Sequence, residues 1–144
     1  MTAEDYLNRV KTEYEHVQSM LDRLYDMKAR ATSCGGSRYS DEPGGGSGFG
    51  DKLAAAVASY VDYSKKCFEE VQKFIDFRAG VVQKIESLPD PLQVTVLKKI
   101  YVEFKTTEQV AFEITRSKRQ TLRIKKKALN NFEVLLLQMS PDLL

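Results

Sequence analysis

Two long stretches of the chain place apolar side chains alternately three and four residues apart. In residues 4–31 the positions at this spacing are Leu7, Val10, Tyr14, Val17, Leu21, Leu24, Lys28 and Ala31, of which all but Lys28 are apolar or aromatic. In residues 52–88 they are Leu53, Val57, Tyr60, Ser64, Cys67, Val71, Phe74, Arg78, Val81, Ile85 and Leu88, with Ser64 and Arg78 as the interruptions. This spacing is typical of helices that pack along an apolar seam, as in a coiled coil. The sequence therefore predicts an all-α protein whose first half contains two long helices.

The two stretches are separated by residues 32–51, which hold seven of the eight glycines in the 144-residue chain. A segment so rich in glycine loses much backbone entropy when it orders and buries little apolar area in return. It is therefore predicted to be a flexible linker between helices 1–31 and 52–88, with Asp51 as the N-cap of the second. The two seams can close as a hairpin within one chain or pair with a second copy, and the sequence leaves both open.

The last third of the chain, residues 89–144, is predicted to form a separate domain of shorter helices. Asp90 and Pro91 have the residue types of an N-cap and a first helical position. Thr106 and Gln109 have the spacing of a capping box, and Ser117 is placed to cap a final helix. The apolar positions expected on the first of these helices are Leu92, Val96, Leu97, Ile100, Tyr101 and Phe104. Those expected on the last are Leu122, Ile124, Ala128, Leu129, Phe132 and Leu136.

A short helix, a turn of three or four residues and a longer basic helix follow one another near the C-terminus. This order is typical of a helix-turn-helix. Within residues 116–127 seven of twelve side chains are basic and none is acidic. A cationic helix of this kind can enter the major groove of double-stranded DNA. The simpler alternative is that the basic run is only a solvated helix face.

If the basic helix binds in the major groove, its residues are expected to have different roles. Arg119, Gln120 and Arg123 have side chains capable of bidentate contacts with base edges, and they lie in the first turns of the helix. The flanking lysines are better suited to phosphates. The complete predicted DNA-binding set is Lys105, Thr106, Thr107, Arg116, Ser117, Lys118, Arg119, Gln120, Arg123, Lys126 and Lys127.

Four segments of the C-terminal half, PDPL at 89–92, VLKKIY at 96–101, KTTEQVA at 105–111 and ITRSKRQTLRIKKKAL at 114–129, carry a family resemblance. Together they resemble the fourth domain of bacterial sigma factors. They are more similar still to the sigma-like late-gene regulators of Gram-positive phages and prophages, the RinA/ArpU group, as is the opening MTAEDYL. Thr115 stands where such domains commonly have a turn glycine, and the 32–51 segment is unusually glycine-rich for the group.

The resemblance implies a sequence-specific DNA-binding transcriptional regulator that activates phage packaging, structural or lysis genes, reading the major groove with helix 117–136. It also implies a homodimer joined through the long helices and possible contact with RNA polymerase. Two other functions stay open: a small terminase subunit that recognises packaging DNA as a ring, and a coiled-coil scaffold with no nucleic-acid role.

Other classes of function find little support in the sequence. No nucleophile–base arrangement is recognisable, so no enzyme is predicted, and no cofactor or metal site either. His16, the only histidine, is interpreted as a surface residue. The chain has no apolar run of 18 residues, so no membrane span is expected, and it begins without the features of a secretory signal. With two cysteines and no disulfide framework, the predicted location is the bacterial cytoplasm.

Overall fold

A computed structural model describes residues 2–36 and 46–143, without the side chains of residues 33–36, 46–49 and 143. The described residues form helices joined by short turns and contain no strand, which confirms the all-α prediction. The helices are α1 (Ala3–Gly36), α2 (Gly46–Glu86), α3 (Pro91–Leu97), α4 (Thr107–Glu113) and α5 (Lys118–Met139). A π-helical segment (Lys98–Val102) follows α3, and a 3₁₀ turn (Pro141–Leu143) follows α5.

The long helices extend further into the glycine-rich region than the sequence predicts. α1 continues to Gly36 and α2 already begins at Gly46. Asp51 is therefore inside α2, and its prediction as the N-cap is wrong. Each glycine weakens a helix by only about 1 kcal/mol, so an adjoining long helix can propagate through a few of them. The middle of the predicted linker, residues 37–45, lies outside the described residues.

The chain forms two compact units, of which the first contains residues 1–14 and 74–144. Its apolar core joins the start of α1, the end of α2, α3, the π-helical segment and α5. The buried members are Ala3, Tyr6, Leu7, Val10, Val81, Ile85, Leu88, Leu97, Tyr101, Val102, Ala128, Phe132 and Leu136. Because α3 and α4 both contact α5, this core also supports the C-terminal helices.

Polar contacts reinforce the same core at its edge. The Tyr101 hydroxyl donates a hydrogen bond of 2.9 Å to the Glu4 carboxylate, and Lys84 Nζ donates to the Tyr6 hydroxyl at 3.0 Å. Burial, and then the bond to Glu4, raise the pKa of the Tyr101 hydroxyl well above its usual value. Lys125 lies over the Tyr101 ring, 5.7 Å from its centroid. These contacts attach the first turns of α1 to the C-terminal helices.

The second unit, residues 15–73, consists of the remainder of α1 and most of α2. Met20 and Cys67 are both buried, and the Cys67 thiol donates to the Met20 carbonyl at 3.7 Å. Arg23 follows Met20 by three residues on α1, and Tyr63 precedes Cys67 by four residues on α2. The Arg23 guanidinium lies 4.9 Å above the centre of the Tyr63 ring. The two helices therefore contact each other in antiparallel directions within one chain. Of the predicted seam, Val17 and Cys67 are buried, but Met20 is buried where Leu21 was expected. The prediction is wrong for Val57, which is 45% exposed.

The segment after Pro89 departs from the single helix expected there. Asp90 is the N-cap of α3 as predicted, and its carboxylate accepts from the Leu92 amide at 2.9 Å. After Leu97, however, the backbone widens into the π-helical segment, which shifts the face presented by the residues after it. Tyr101 is buried as predicted, Val102 is buried in addition, and Phe104 ends the segment with a positive φ of 58°.

Candidate nucleic-acid interface

The α4–turn–α5 segment begins with a predicted feature that the structure confirms. The Thr106 hydroxyl accepts from the Gln109 amide at 3.3 Å, and the Gln109 side chain accepts from the Thr106 amide at 2.9 Å. This reciprocal capping box satisfies two amides that the first turn would otherwise leave unpaired. It fixes the first residue of α4 and hence the angle at which the chain enters the helix.

A four-residue turn, Ile114 to Ser117, ends α4. The Thr115 amide donates to the Phe112 carbonyl at 3.2 Å, and the Arg116 amide donates to the Ala111 carbonyl at 2.9 Å. These two hydrogen bonds form a Schellman motif, in which the first residue after the end of the helix has a left-handed backbone conformation. Thr115 takes that conformation with φ of 54°. The residue that replaces the usual turn glycine therefore adopts a glycine-like backbone at some conformational cost.

We expect Thr115→Gly to stabilise the protein by about 0.5–1 kcal/mol, because glycine enters the left-handed region without the Cβ clash of a β-branched residue. The gain is reduced by the larger entropy of glycine in the unfolded chain. Urea unfolding should show a higher midpoint with an unchanged slope. Thr12→Gly, in the exposed interior of α1, should lower the midpoint instead. A lower midpoint for Thr115→Gly would contradict this account of the turn.

Beneath the turn, small and apolar side chains hold the two helices together. Val110 and Ala111 of α4 are buried, as are Thr121 and Ala128 of α5. The Thr121 hydroxyl donates a hydrogen bond to the Ser117 carbonyl at 2.9 Å, so it is not left unpaired in the core. The buried face of α5 thus includes a threonine, whereas Leu122, predicted to be buried, is 44% exposed. Successive residues of a helix are rotated by about 100°, so the neighbouring position takes the buried place.

The opposite face of α5 is cationic. Arg119, Arg123 and Lys126 recur at i, i+4 and i+7 and are exposed to solvent. Arg116 and Lys127 are exposed beside them. Within residues 2–36 and 46–143, none of these five side chains forms an ion pair. We call these five residues the α5 cationic face, and part of it surrounds a shallow cavity of about 320 Å³ lined by Arg123, Ile124, Lys126, Lys127 and Asn130.

Two other predicted phosphate contacts have acidic partners on α4. Lys118 Nζ lies 2.7 Å from Glu108, and Lys105 Nζ lies 2.7 Å from Glu113. Glu113 also accepts from Lys99 at 2.9 Å. The hydrogen bond from Lys118 lowers the pKa of the Glu108 carboxyl, and the bonds from Lys105 and then Lys99 lower the pKa of Glu113. These two lysines are thus partly neutralised, unlike the α5 cationic face.

The remaining predicted residues serve first as caps. The Ser117 hydroxyl accepts from the Gln120 amide at 3.1 Å, and the Gln120 side-chain oxygen accepts from the Ser117 amide at 3.1 Å. A bidentate contact with adenine needs that oxygen as well as the side-chain nitrogen. While the capping box is closed, this oxygen is oriented towards the Ser117 amide, so the N–H groups of Gln120 are the part of its side chain best placed for a base. Thr106 is likewise engaged as a cap, and Thr107, in the first turn of α4, is half-buried.

Comparison with protein-family models, with curated protein sequences and with solved structures found no match. Over the described ranges, no helix is long and apolar enough to cross a membrane. The same residues contain no group of three or more histidine, cysteine, aspartate or glutamate side chains placed to hold a metal ion.

Sequence reasoning missed the acidic contribution of α4 to this interface. Glu108 and Glu113 lie outside the basic run, so a window over residues 116–127 does not include them. Their approach to Lys118 and Lys105 depends on the angle between the two helices. A search for acidic residues one short helix upstream would have raised the possibility of these pairs. The exposure of Phe112 on α4, which is 85% exposed, was not predicted either, because an apolar residue of a helix is ordinarily expected to be buried.

Proposed function

We propose that this protein is a sequence-specific regulator that binds double-stranded DNA through a helix-turn-helix formed by α4, the turn and α5. The single observation that carries the proposal is the α5 cationic face: five exposed cations without ion-pair partners among the described residues, Arg116 in the turn and the other four on α5. Folded proteins usually distribute charge so that cations have acidic neighbours. A concentrated uncompensated face is suited to a polyanion.

The arrangement suggests separate tasks for the cations. α5 has 22 residues, about 33 Å at 1.5 Å per residue, and its first turns would enter the major groove. Arg119 and Arg123, on one side of the helix, would contact guanine edges, and Lys126, Lys127 and Arg116 would contact phosphates. Gln120 would serve mainly to fix the start of α5, because its oxygen is held by Ser117. Lys105 and Lys118 would reach phosphates only by exchanging their glutamate partners.

A homodimer held through the N-terminal helical hairpin is part of the proposal. The seam between α1 and α2 is used inside one chain, where Met20 packs against Cys67. A second apolar line remains on the outer face of α2, where Val57, Val61 and Phe68 are 45%, 42% and 71% exposed. Pairing of this line between two copies would present two recognition helices, as expected for a site with two half-sites.

Binding to duplex DNA should depend steeply on salt. If Arg116, Lys126 and Lys127 each neutralise a phosphate, the logarithm of the binding constant should fall against the logarithm of salt concentration with a slope of about −3. Lys127→Ala should reduce the magnitude of that slope by about 1. Fluorescence anisotropy with a labelled duplex measures both, and Lys28→Ala, an exposed lysine of α1, is the control. No binding at low salt would contradict the proposal.

The biological role is tested by isolating genomic fragments that the protein retains. Enrichment upstream of an operon supports a transcriptional regulator, and enrichment at a packaging-initiation site supports a small terminase subunit. Mass in solution separates the same two functions: a monomer or dimer fits the regulator, and eight or more copies fit a terminase ring. A protein that selects no sequence and binds no duplex would fit the scaffold.

A further inference from the structure

A cleft between α1 and α2 in the second unit collects chemistry that the DNA-binding proposal does not use. On α1 it is lined by His16, Ser19, Met20 and Arg23, and on α2 by Tyr63, Lys66 and Glu70. The α1 residues follow the spacing i, i+3, i+4 and i+7, and the α2 residues follow i, i+3 and i+7, so each set shares one helix face. The cavity has a volume of about 360 Å³.

Cationic and hydrogen-bonding groups dominate the lining. Arg23, Lys66 and His16 are exposed to solvent, and none has an acidic partner within the described part of the chain. The guanidinium of Arg23 lies 4.9 Å above the centre of the Tyr63 ring, which restricts its orientation. Ser19 adds a hydroxyl group. A rigid, planar donor is thus available beside an ammonium and an imidazole.

The base of the cleft and its acidic member complete the description. Met20 is buried, and its carbonyl accepts from the Cys67 thiol at 3.7 Å, so the helices are closely packed below the cavity. Glu70 is the one carboxylate in the lining, and Lys73 Nζ lies 3.4 Å from it. This lysine offsets the repulsion that Glu70 would exert on an anion. The Glu70 carboxylate can still accept a hydrogen bond from a ligand hydroxyl.

We propose that this cleft binds a small phosphate monoester, with Arg23, Lys66 and His16 around the phosphate and Met20 and Tyr63 against the organic part. A phosphate monoester carries nearly two negative charges at pH 7 and three terminal acceptor oxygens. The guanidinium, ammonium and imidazole groups can approach those oxygens separately. Succinate also carries two negative charges near pH 7, but on two separate carboxylates with two oxygens each, so either carboxylate leaves part of this donor set without an acceptor. A cavity of this volume suits a small ligand.

Because His16 is the only histidine in the chain, its imidazole NMR signals report on the cleft without ambiguity. Glycerol 1-phosphate, inorganic phosphate and succinate are titrated separately at fixed pH and ionic strength. Glycerol 1-phosphate should give a saturable shift of the His16 signals, and inorganic phosphate the same shift with weaker affinity, since it lacks the organic part. Succinate should give no saturable shift. Absence of saturation with glycerol 1-phosphate up to about 10 mM overturns the proposal.

Variants locate the binding. Arg23→Ala should weaken it at least tenfold, because the guanidinium makes charge-assisted hydrogen bonds, and Arg23→Lys should restore only part of the affinity. Lys66→Ala should also weaken it. Lys65→Ala removes the same charge one position along α2, outside the cleft lining, and should leave affinity unchanged. An equal loss for Lys65→Ala and Lys66→Ala overturns the proposal.

The test is independent of DNA binding. Arg119→Ala with Arg123→Ala removes cations from α5 and should not change the titration at His16. An NMR shift that disappears in this double variant would assign the anion to α5 and overturn the cleft proposal. Failure of the protein to bind DNA leaves the expected titration as it is.

Discussion

Replacing Arg119 and Arg123 together with alanine is expected to weaken specific duplex binding about a hundredfold or more. Each arginine that makes a bidentate contact with guanine contributes about 1–3 kcal/mol of discrimination, and 1.4 kcal/mol corresponds to a factor of ten. Both side chains are exposed and unpaired within the described residues, so their removal breaks no ion pair of the fold. Anisotropy titrations with the selected duplex measure the change.

A matched pair of substitutions separates base reading from charge. Lys28→Ala with Lys65→Ala removes two positive charges from exposed positions of α1 and α2 and should cost less than a factor of about five, through weaker long-range attraction only. Alanine is a good helix former, so thermal unfolding of both double variants should stay close to that of the parent protein. Equal losses in the two double variants would mean that α5 does not read bases.

Phe132→Ala is expected to destabilise the first unit by about 3–5 kcal/mol. The Phe132 side chain is fully buried, and its ring centroid lies 6.2 Å from that of Tyr6. Truncation removes its transfer free energy and leaves a cavity that the surrounding helices fill only in part. This is a large fraction of the 5–15 kcal/mol by which small domains are usually stable. Chemical unfolding followed by circular dichroism gives the value.

Val134→Ala is the control for that measurement, because Val134 is 56% exposed two residues along the same helix. It should change the free energy of unfolding by no more than about 0.5 kcal/mol. Phe132→Ala should also weaken DNA binding, since it loosens the base on which α5 rests, whereas Val134→Ala should not. A cost below about 1 kcal/mol for Phe132→Ala would show that this residue is not central to the core.

Features that depend on neighbouring residues were predictable from the sequence. The Thr106 cap with Gln109 and the Asp90 cap are formed by groups within three positions of each other, so residue type and spacing suffice to predict them. The all-α class followed from apolar periodicity sustained over many turns. The exposure of Arg119 and Arg123 was predictable for the same reason, because the opposite face of α5 carries the apolar positions.

The predictions of which side chains are buried were wrong where a small change in helix geometry turns a different set of residues towards the core. The π-helical segment rotates the side chains within and after it, so Val102 is buried and Ile100 is only half-buried, whereas Tyr101 is buried as predicted. Leu122 is exposed because Thr121 takes the buried place, and a threonine there is acceptable only because its hydroxyl bonds to the Ser117 carbonyl. Such local hydrogen bonding cannot be inferred from hydrophobic pattern alone.

Residue type and spacing along the chain suffice to predict the helices, most of their caps and the cationic face of α5, because each depends on residues within one or two turns of one another. Which charges remain uncompensated depends on the packing of the helices, since Glu108 approaches Lys118, and Glu113 approaches Lys105, in the folded chain. The surroundings of His16 likewise depend on the packing of α1 against α2, because Tyr63 and Lys66, which line the same cleft, are about fifty positions away in the chain. Coulomb and hydrogen-bond energies depend on distance in space, which periodicity along the chain does not specify.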